Sequence, residues 1–149
     1  MRLVIQNVEQ AKVTINNKLE RLINKGLLIY VGISTKDVNA DYQEKIQKFV
    51  KKLPDLQVFK NSKNKIKKRL SDFDGDVLLI PNFTLYGSNS KWTQIDFSNS
   101  ASFKPAKKIY DYLIDQLKAT WVFIKTGEFG SMMKVESELN WPINIIIEL

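Results

Sequence analysis

The sequence predicts one α/β domain, residues 1–149, in which two helices flank mixed β-sheets. Three observations support this fold class. Strand-like runs of alternating or continuous apolar residues occur near both ends of the chain and in its middle. Two segments carry apolar residues at helical spacing. No internal repeat or long linker divides the 149 residues, which are enough for one substantial core.

The first part of the chain is predicted to consist of strands followed by a helix. Residues 2–8 and 11–17 alternate apolar and polar side chains, and residues 18–24 are a candidate third strand. Residues 26–33 are nearly all apolar, which is typical of a strand buried on both faces. Ser34 to Asp37 offers N-cap residues for a helix that we expect to continue to about Leu53, before Pro54.

The second part is predicted to hold a short strand, a basic loop, a central strand, a second helix and three closing strands. The central strand, residues 78–87, is an apolar run that carries a few polar side chains towards a pocket. The second helix runs from residue 102 or 104 to 118, with Pro105 in its first turn. The short strand covers residues 56–59, and the closing strands cover residues 121–126, 132–137 and 143–148.

The composition excludes several kinds of chemistry. The chain has no cysteine and no histidine, which removes disulfides, thiolate nucleophiles, imidazole bases and the usual zinc ligands. We therefore expect no cofactor and no metal site, and we interpret Asp72, Asp74 and Asp76 around Gly75 as a turn. No apolar run approaches the roughly 20 residues of a membrane span, and the N-terminus lacks a signal or transit pattern. A cytoplasmic location is expected, with a mitochondrial one as the alternative.

Positive charge is concentrated in the first half of the chain. Residues 1–70 hold 16 Lys and Arg against 6 Asp and Glu, whereas residues 71–149 hold 7 against 10. Such asymmetry favours a partner with a phosphate backbone. The alternative is a solvated lysine-rich loop. The densest basic residues, and the candidate nucleic-acid contacts, are Lys60, Lys63, Lys65, Lys67, Lys68 and Arg69.

Motifs spread over the whole chain resemble those of one known family. Residues 126–133 are close to that family's Gly-x-Phe-Gly-Ala-x-Met segment, and residues 83–85 stand at the end of its Ser-Gln-x-Thr motif. Further matches are residues 1–8, 11–13, 26–33, Asp37, 75–85, Pro105, Ala106 and Tyr110. On these motifs the chain is identified as a member of the D-aminoacyl-tRNA deacylase family.

The resemblance implies a fold, an activity and a set of site residues. It implies a two-fold homodimer that hydrolyses the ester of a D-amino acid, or of glycine, at the 3′ end of tRNA, as quality control in translation. Catalysis would use backbone N–H groups and the terminal ribose hydroxyl, which suits a chain without histidine or cysteine. The implied catalytic residues are Asn82, Phe83 and Thr84. The implied substrate-binding residues are Phe129, Gly130, Met133, Trp141 and Pro142, of which the last two would face the partner subunit.

The chain departs from the family at its motifs. Pro81 and Asn82 replace the Ser-Gln pair, so one backbone donor is lost. Trp141 replaces the glycine of the family's Gly-Pro dipeptide, which there has a cis bond, and Leu139 replaces the asparagine two residues before it. Gln94 replaces an arginine. These losses keep a second hypothesis open: a catalytically inactive, deacylase-like subunit that binds RNA or protein in a larger assembly. Thr84 is either a pocket residue or only a strand residue, and Trp141 either a packing aromatic or a substrate contact.

Overall fold

A computed structural model describes residues 1–89, 93–139 and 141–149, and within them two helices and ten strands. The helices are α1, Tyr42–Lys52, and α2, Phe103–Lys118. The strands are β1 Arg2–Val8, β2 Gln10–Ile15, β3 Leu19–Ile23, β4 Gly26–Gly32, β5 Gln57–Lys60, β6 Ile66–Arg69, β7 Asp76–Pro81, β8 Ile124–Thr126, β9 Met133–Glu138 and β10 Asn144–Glu148. The predicted fold class, mixed sheets with two helices, is confirmed. None of the helices in these ranges is long and apolar enough to cross a membrane.

The strands form two larger sheets and a hairpin. The main sheet has the order β10-β1-β4-β7-β8, in which β4, β7 and β8 are parallel and β1 is antiparallel to both of its neighbours. The second sheet has the order β3-β2-β9, and β5 pairs with β6. Because β4 and β7 run in the same direction, their carboxyl ends lie side by side at one end of the main sheet.

Strand β4 is buried on both faces, as its continuous apolar run predicted. Leu27, Ile29 and Val31 point into the core shared with the two helices, while Leu28 packs against the second sheet together with Leu78 of β7. Successive side chains of a strand alternate between faces, so one apolar run serves both cores. The main sheet is therefore the middle layer of the molecule.

Helix α1 begins later than the sequence predicted. Asp41, not a residue of the 34–37 segment, caps it by accepting a hydrogen bond from the Glu44 N–H at 3.2 Å. The Asp37 carboxylate is engaged elsewhere: it is buried and binds the Met1 ammonium at 2.5 Å and the Ser34 N–H at 2.7 Å. Burial opposes the charge on Asp37, but these hydrogen bonds outweigh it and lower the pKa of the carboxyl.

The predicted basic loop is a β-hairpin, so that expectation was wrong. The Asn61 side chain accepts hydrogen bonds from the N–H groups of Lys63 and Lys65 at 2.9 and 3.0 Å. Asn64 adopts a φ of 56°, a left-handed conformation that asparagine tolerates. This turn brings Ile66 opposite Lys60 and sets the pairing of β5 with β6.

The acidic segment before β7 is a turn, as the sequence predicted. The Asp72 carboxylate accepts from the Arg69 N–H at 2.7 Å, and the Asp76 carboxylate accepts from the Asn24 N–H at 3.0 Å. Asp74 has a φ of 50°. The carboxylates of Asp72 and Asp76 thus have structural uses, and the described residues contain no group of three acidic side chains placed to hold a metal ion.

Candidate active-site pocket

A cavity of about 270 Å³ lies at the carboxyl ends of β4 and β7. Its walls are mostly apolar, and its polar rim is formed where the chain leaves β7. The lining residues are Val31, Ile33, Pro81, Asn82, Phe83, Ala101, Phe103, Ala106, Phe129 and Gly130. The cavity therefore brings together four of the predicted site residues, two from the β7 segment and two from the loop after β8.

Strand β7 ends at Pro81, earlier than the predicted residue 87, and a tight helical turn follows over Phe83–Tyr86. Thr84 consequently lies on this turn rather than on a strand, and it is exposed to solvent. The Asn82 side-chain oxygen accepts from the Thr84 N–H at 3.1 Å and from the Thr84 hydroxyl at 2.5 Å. Asn82 and Thr84 thereby fix the shape of the turn.

Phe83 lies at the pocket rim and brings a backbone N–H to it. The first N–H groups of a helical turn have no acceptor inside the turn, and the Asn82 side chain already satisfies the next one, that of Thr84. The Phe83 carbonyl is held from the other side by the Ser100 hydroxyl at 2.8 Å. The Phe83–Thr84 peptide is therefore held on both sides by side chains, while the N–H of Phe83, which belongs to the preceding peptide, has no acceptor among the residues that the structure describes.

Pro81 fits the end of β7 because its missing N–H would have no strand partner. The N–H groups of Asp76 and Asn82 donate to β4 or the residue before it, whereas the Val77 N–H donates towards β8. Since alternate residues face opposite neighbours, the nitrogen of Pro81 points to the β8 side. Strand β8 has already ended there, at Thr126 opposite Leu79. The next residue, Gly127, lies against the Pro81 ring, where a Cβ would come within 3.0 Å of Pro81 Cδ, so a glycine there leaves room for the proline.

An aromatic cluster forms the opposite wall of the pocket. The rings of Phe103 and Phe129 meet edge to face with centroids 5.2 Å apart, and Tyr110 lies behind Phe129 at 5.8 Å. Gly130 has a φ of 82°, and a Cβ there would lie 2.5 Å from the Phe103 ring. The buried Tyr110 hydroxyl donates to the Leu79 carbonyl at 2.9 Å, and burial raises the pKa of Tyr110, so the donor keeps its proton.

Met133 lies away from the cavity. It is half-buried in β9 opposite Ile15 and packs in the core between the sheets. A Cβ added at Gly127 would come within 2.6 Å of its sulfur, so Met133 fills the space that this glycine leaves. In this geometry Met133 supports the loop that carries Phe129 and Gly130 rather than lining the cavity.

Trp141 and Pro142 lie at the other end of the main sheet from the pocket of the same chain. They precede β10, whose first residue, Asn144, pairs with Gln6. Among the described residues no peptide bond is cis, so the bond between Trp141 and Pro142 is trans. The neighbouring motif position, Asn140, falls outside the described residues. Trp141 does not line its own chain's pocket.

The sequence did not single out Phe103 as a site residue. It lies at the first position of α2, three residues before the buried Ala106, and so extends the helix's apolar stripe by one turn. Unlike the rest of that stripe, Phe103 is 55% exposed. The sequence did indicate Phe103, because the apolar stripe of α2 begins one turn before the first residue that the core buries.

Comparisons with a family model and with curated proteins point to the same class of protein. A model of the family described as D-Tyr-tRNA(Tyr) deacylase matches residues 4–148. Proteins named D-aminoacyl-tRNA deacylase from Thermosipho melanesiensis and Trichodesmium erythraeum are 35% and 37% identical to the chain; each alignment covers 99% of this chain and 97% and 96% of theirs.

Solved structures agree with this match. One described as c-Myc DNA Unwinding Element Binding Protein has a TM-score of 0.86 at 28% identity, and covers 100% of this chain and 99% of that one. A second, described as a probable eukaryotic D-amino acid tRNA deacylase, has a TM-score of 0.85 at 16% identity over 99% and 98% of the two chains, which supports the fold. The class of protein is thus a compact α/β deacylase-like domain. The chain belongs to the D-Tyr-tRNA(Tyr) deacylase family.

Proposed function

We propose that the protein hydrolyses the ester bond that joins a D-amino acid, or glycine, to the 3′ end of tRNA, and so removes mischarged amino acids during translation. The observation that carries this proposal is the backbone N–H of Phe83, a residue at the rim of a pocket of about 270 Å³, for which the described part of the chain provides no acceptor. The relatives over 30% identical that are named above support the same activity, and none of them favours the inactive-subunit hypothesis.

The chemistry follows from the groups available at the rim. Attack of a water molecule on the ester carbonyl places negative charge on the carbonyl oxygen, and a preorganised N–H donor such as that of Phe83 stabilises this charge. Asn82 and Thr84 act through their hydrogen bonds to the turn, because they hold that N–H in place. As the family resemblance implies, the free hydroxyl of the terminal ribose would take a proton from the attacking water and deliver one to the departing ribose oxygen, so that the free amino acid and uncharged tRNA are released. The apolar wall, with Phe103, Phe129 and Gly130, would hold the terminal nucleoside or the amino-acid side chain.

Two further parts of the proposal concern partners and location. The six basic residues of the β5–β6 hairpin would contact the tRNA backbone, and the protein would act as a homodimer in which Trp141 and Pro142 approach the partner's pocket. A tRNA substrate is compatible with the cytoplasm, where we place the protein.

The test is single-turnover hydrolysis of D-tyrosyl-tRNA and glycyl-tRNA, with L-tyrosyl-tRNA as the chiral control. We expect release of the D-amino acid well above the rate without protein. Thr84→Ala should slow release by about 10- to 100-fold, because the Phe83 peptide loses part of its support. Thr14→Ala, a threonine of the second sheet, is the matched control and should leave the rate unchanged. No release by the parent protein, together with intact tRNA binding, would support the inactive-subunit hypothesis instead.

A further inference from the structure

Helix α2 carries three lysines in its first two turns. Lys104, Lys107 and Lys108, here called the α2 lysine face, are neighbours on the helix surface, because residues three and four apart lie on the same side of a helix. The Lys107 ammonium binds the Asp111 carboxylate at 2.5 Å. In the part of the chain that the structure describes, neither Lys104 nor Lys108 lies within 4 Å of a carboxylate.

The order of charges along α2 is opposite to the order that stabilises a helix. Cations are unfavourable in the first turn, where the helix dipole is positive, and like charges four residues apart repel each other. The first turn of α2 contains no acidic residue. Helix α1 has the favourable order, with Glu44 in its first turn and Lys51 and Lys52 in its last. The α2 lysine face therefore lowers the stability of the free protein, and a bound anion would offset that loss.

The α2 lysine face is continuous with the candidate active-site pocket. It lines an open cavity of about 510 Å³ to which both helices contribute. Phe103 lines this cavity and the pocket as well. A helix rises about 1.5 Å per residue, so a ligand that leaves the pocket past Phe103 meets the three ammonium groups within the next two turns. The acidic side chains of the cavity, Asp111 and Asp115, lie farther along α2.

A second polar cavity at the same end of the main sheet is a poorer exit from the pocket. It has a volume of about 520 Å³ and contains Arg2, Lys36 and Lys45, but it shares no lining residue with the pocket. Its Arg2 guanidinium is bound by the Glu148 carboxylate at 2.5 Å, so part of its positive charge is already neutralised. The α2 side offers a direct connection to the pocket together with cations that lack a carboxylate partner.

We propose that the α2 lysine face binds the phosphate groups next to the terminal nucleoside of tRNA, on the single-stranded 3′ end that brings the ester into the pocket. A row of cations suits a chain of phosphates, because each contact releases a counterion from the nucleic acid. RNA as the ligand rests on the proposed function, whereas the cations and their connection to the pocket rest on the contacts described above. None of the three lysines lines the pocket, so they position the substrate and take no part in the chemistry.

The experiment measures the affinity of the protein for two uncharged tRNAs, one intact and one trimmed of its last three nucleotides. Each phosphate contact on a single strand contributes about 0.7 log units of affinity at 0.1 M relative to 1 M salt. Lys104→Gln/Lys108→Gln should therefore weaken the binding of intact tRNA by about 5- to 25-fold at 0.1 M salt, for one or two lost contacts. Trimmed tRNA, which lacks these phosphates, should bind this variant as it binds the parent.

Two further variants separate a phosphate contact from a general effect of charge or folding. Lys104→Arg/Lys108→Arg keeps the charges and should keep the affinity. Lys51→Gln/Lys52→Gln removes the same charge from the last turn of α1, and it should change the binding of intact and trimmed tRNA by the same factor. In thermal unfolding Lys104→Gln/Lys108→Gln should be at least as stable as the parent, because repulsion between the two lysines is removed.

Two outcomes would overturn the inference. Parent-like affinity of Lys104→Gln/Lys108→Gln for intact tRNA would assign the α2 lysine face to another polyanion, such as an acidic protein. An equal loss for intact and trimmed tRNA would place the contact away from the 3′ end. Binding needs no hydrolysis, so a protein that passes this comparison but releases no D-amino acid keeps the α2 contact and refutes the proposed activity. The reverse result refutes the α2 contact alone.

Discussion

Replacement of Gly130 by alanine should both destabilise the protein and impair the pocket. The backbone φ of 82° is left-handed, which costs an alanine about 1–2 kcal/mol. The new Cβ would also lie 2.5 Å from the Phe103 ring, which must withdraw by about 1 Å to reach ordinary contact. That movement weakens the edge-to-face contact with Phe129, worth about 0.5–1.5 kcal/mol.

These terms together give a loss of about 2–3 kcal/mol in the free energy of unfolding. For a domain of this size the melting temperature should fall by about 5–10 °C, measured by circular dichroism or calorimetry. Because Phe103 lines the cavity, single-turnover hydrolysis of D-tyrosyl-tRNA should slow by about 10- to 100-fold.

A double-variant cycle with Phe103→Leu separates the backbone strain at residue 130 from the steric clash between the new Cβ and the Phe103 ring. In that background the large ring is gone, so Gly130→Ala should cost only the left-handed strain of about 1–2 kcal/mol. An unchanged melting temperature and rate for Gly130→Ala in the parent would refute the reasoning. An equal cost in both backgrounds would refute the collision with Phe103.

Three further results are expected. Asp37→Asn should lower the free energy of unfolding by about 3–5 kcal/mol at neutral pH, because it leaves the buried Met1 ammonium without its carboxylate partner. Because the pKa of Asp37 is lowered in the folded state, the stability difference between parent and variant should be full above about pH 4 and should shrink as the pH falls through that pKa. Urea unfolding at several pH values would measure this difference. Tyr110→Phe should cost only about 0.5–1.5 kcal/mol in thermal unfolding, because the Leu79 carbonyl still accepts from the Gly127 N–H at 2.7 Å. Replacing three hairpin lysines by glutamine should lower the slope of log affinity for tRNA against log salt by about 0.7–0.9 for each phosphate contact removed, and an unchanged slope would place the tRNA elsewhere.

Much of the fold could be predicted from the sequence because it depends on local patterns. The continuous apolar run of β4 and the stripe of α2 at Ala106, Ile109 and Tyr110 follow from which side chains must be buried. Errors arose where a side chain was used in a long-range contact. Asp37 has the chemistry of a helix cap, but it binds the Met1 ammonium, 36 residues away, and the helix begins at Tyr42.

The site was only partly predictable for the same reason. Asn82 and Phe83 were found from a motif, and they do line the cavity. The motif did not show that Pro81 ends the strand, because that depends on where β8 stops on the neighbouring side. Nor could the sequence reveal that Trp141 lies against Lys60, since 81 residues separate them and nothing in either local pattern encodes the contact.

The pairing of β10 with β1 has a consequence for how the chain reaches its native state. Arg2 lies opposite Glu148, and the backbones of Met1 and Leu149 exchange hydrogen bonds, so the earliest and latest parts of the sequence meet at one sheet edge. Such a contact closes a loop of nearly the whole chain, and contacts of this kind slow folding. During synthesis the outer edge of β1 must wait for β10, because Arg2 and its partner Glu148 are 146 residues apart in the chain. An exposed strand edge in that interval is a point where nascent chains can associate, and where a chaperone would bind.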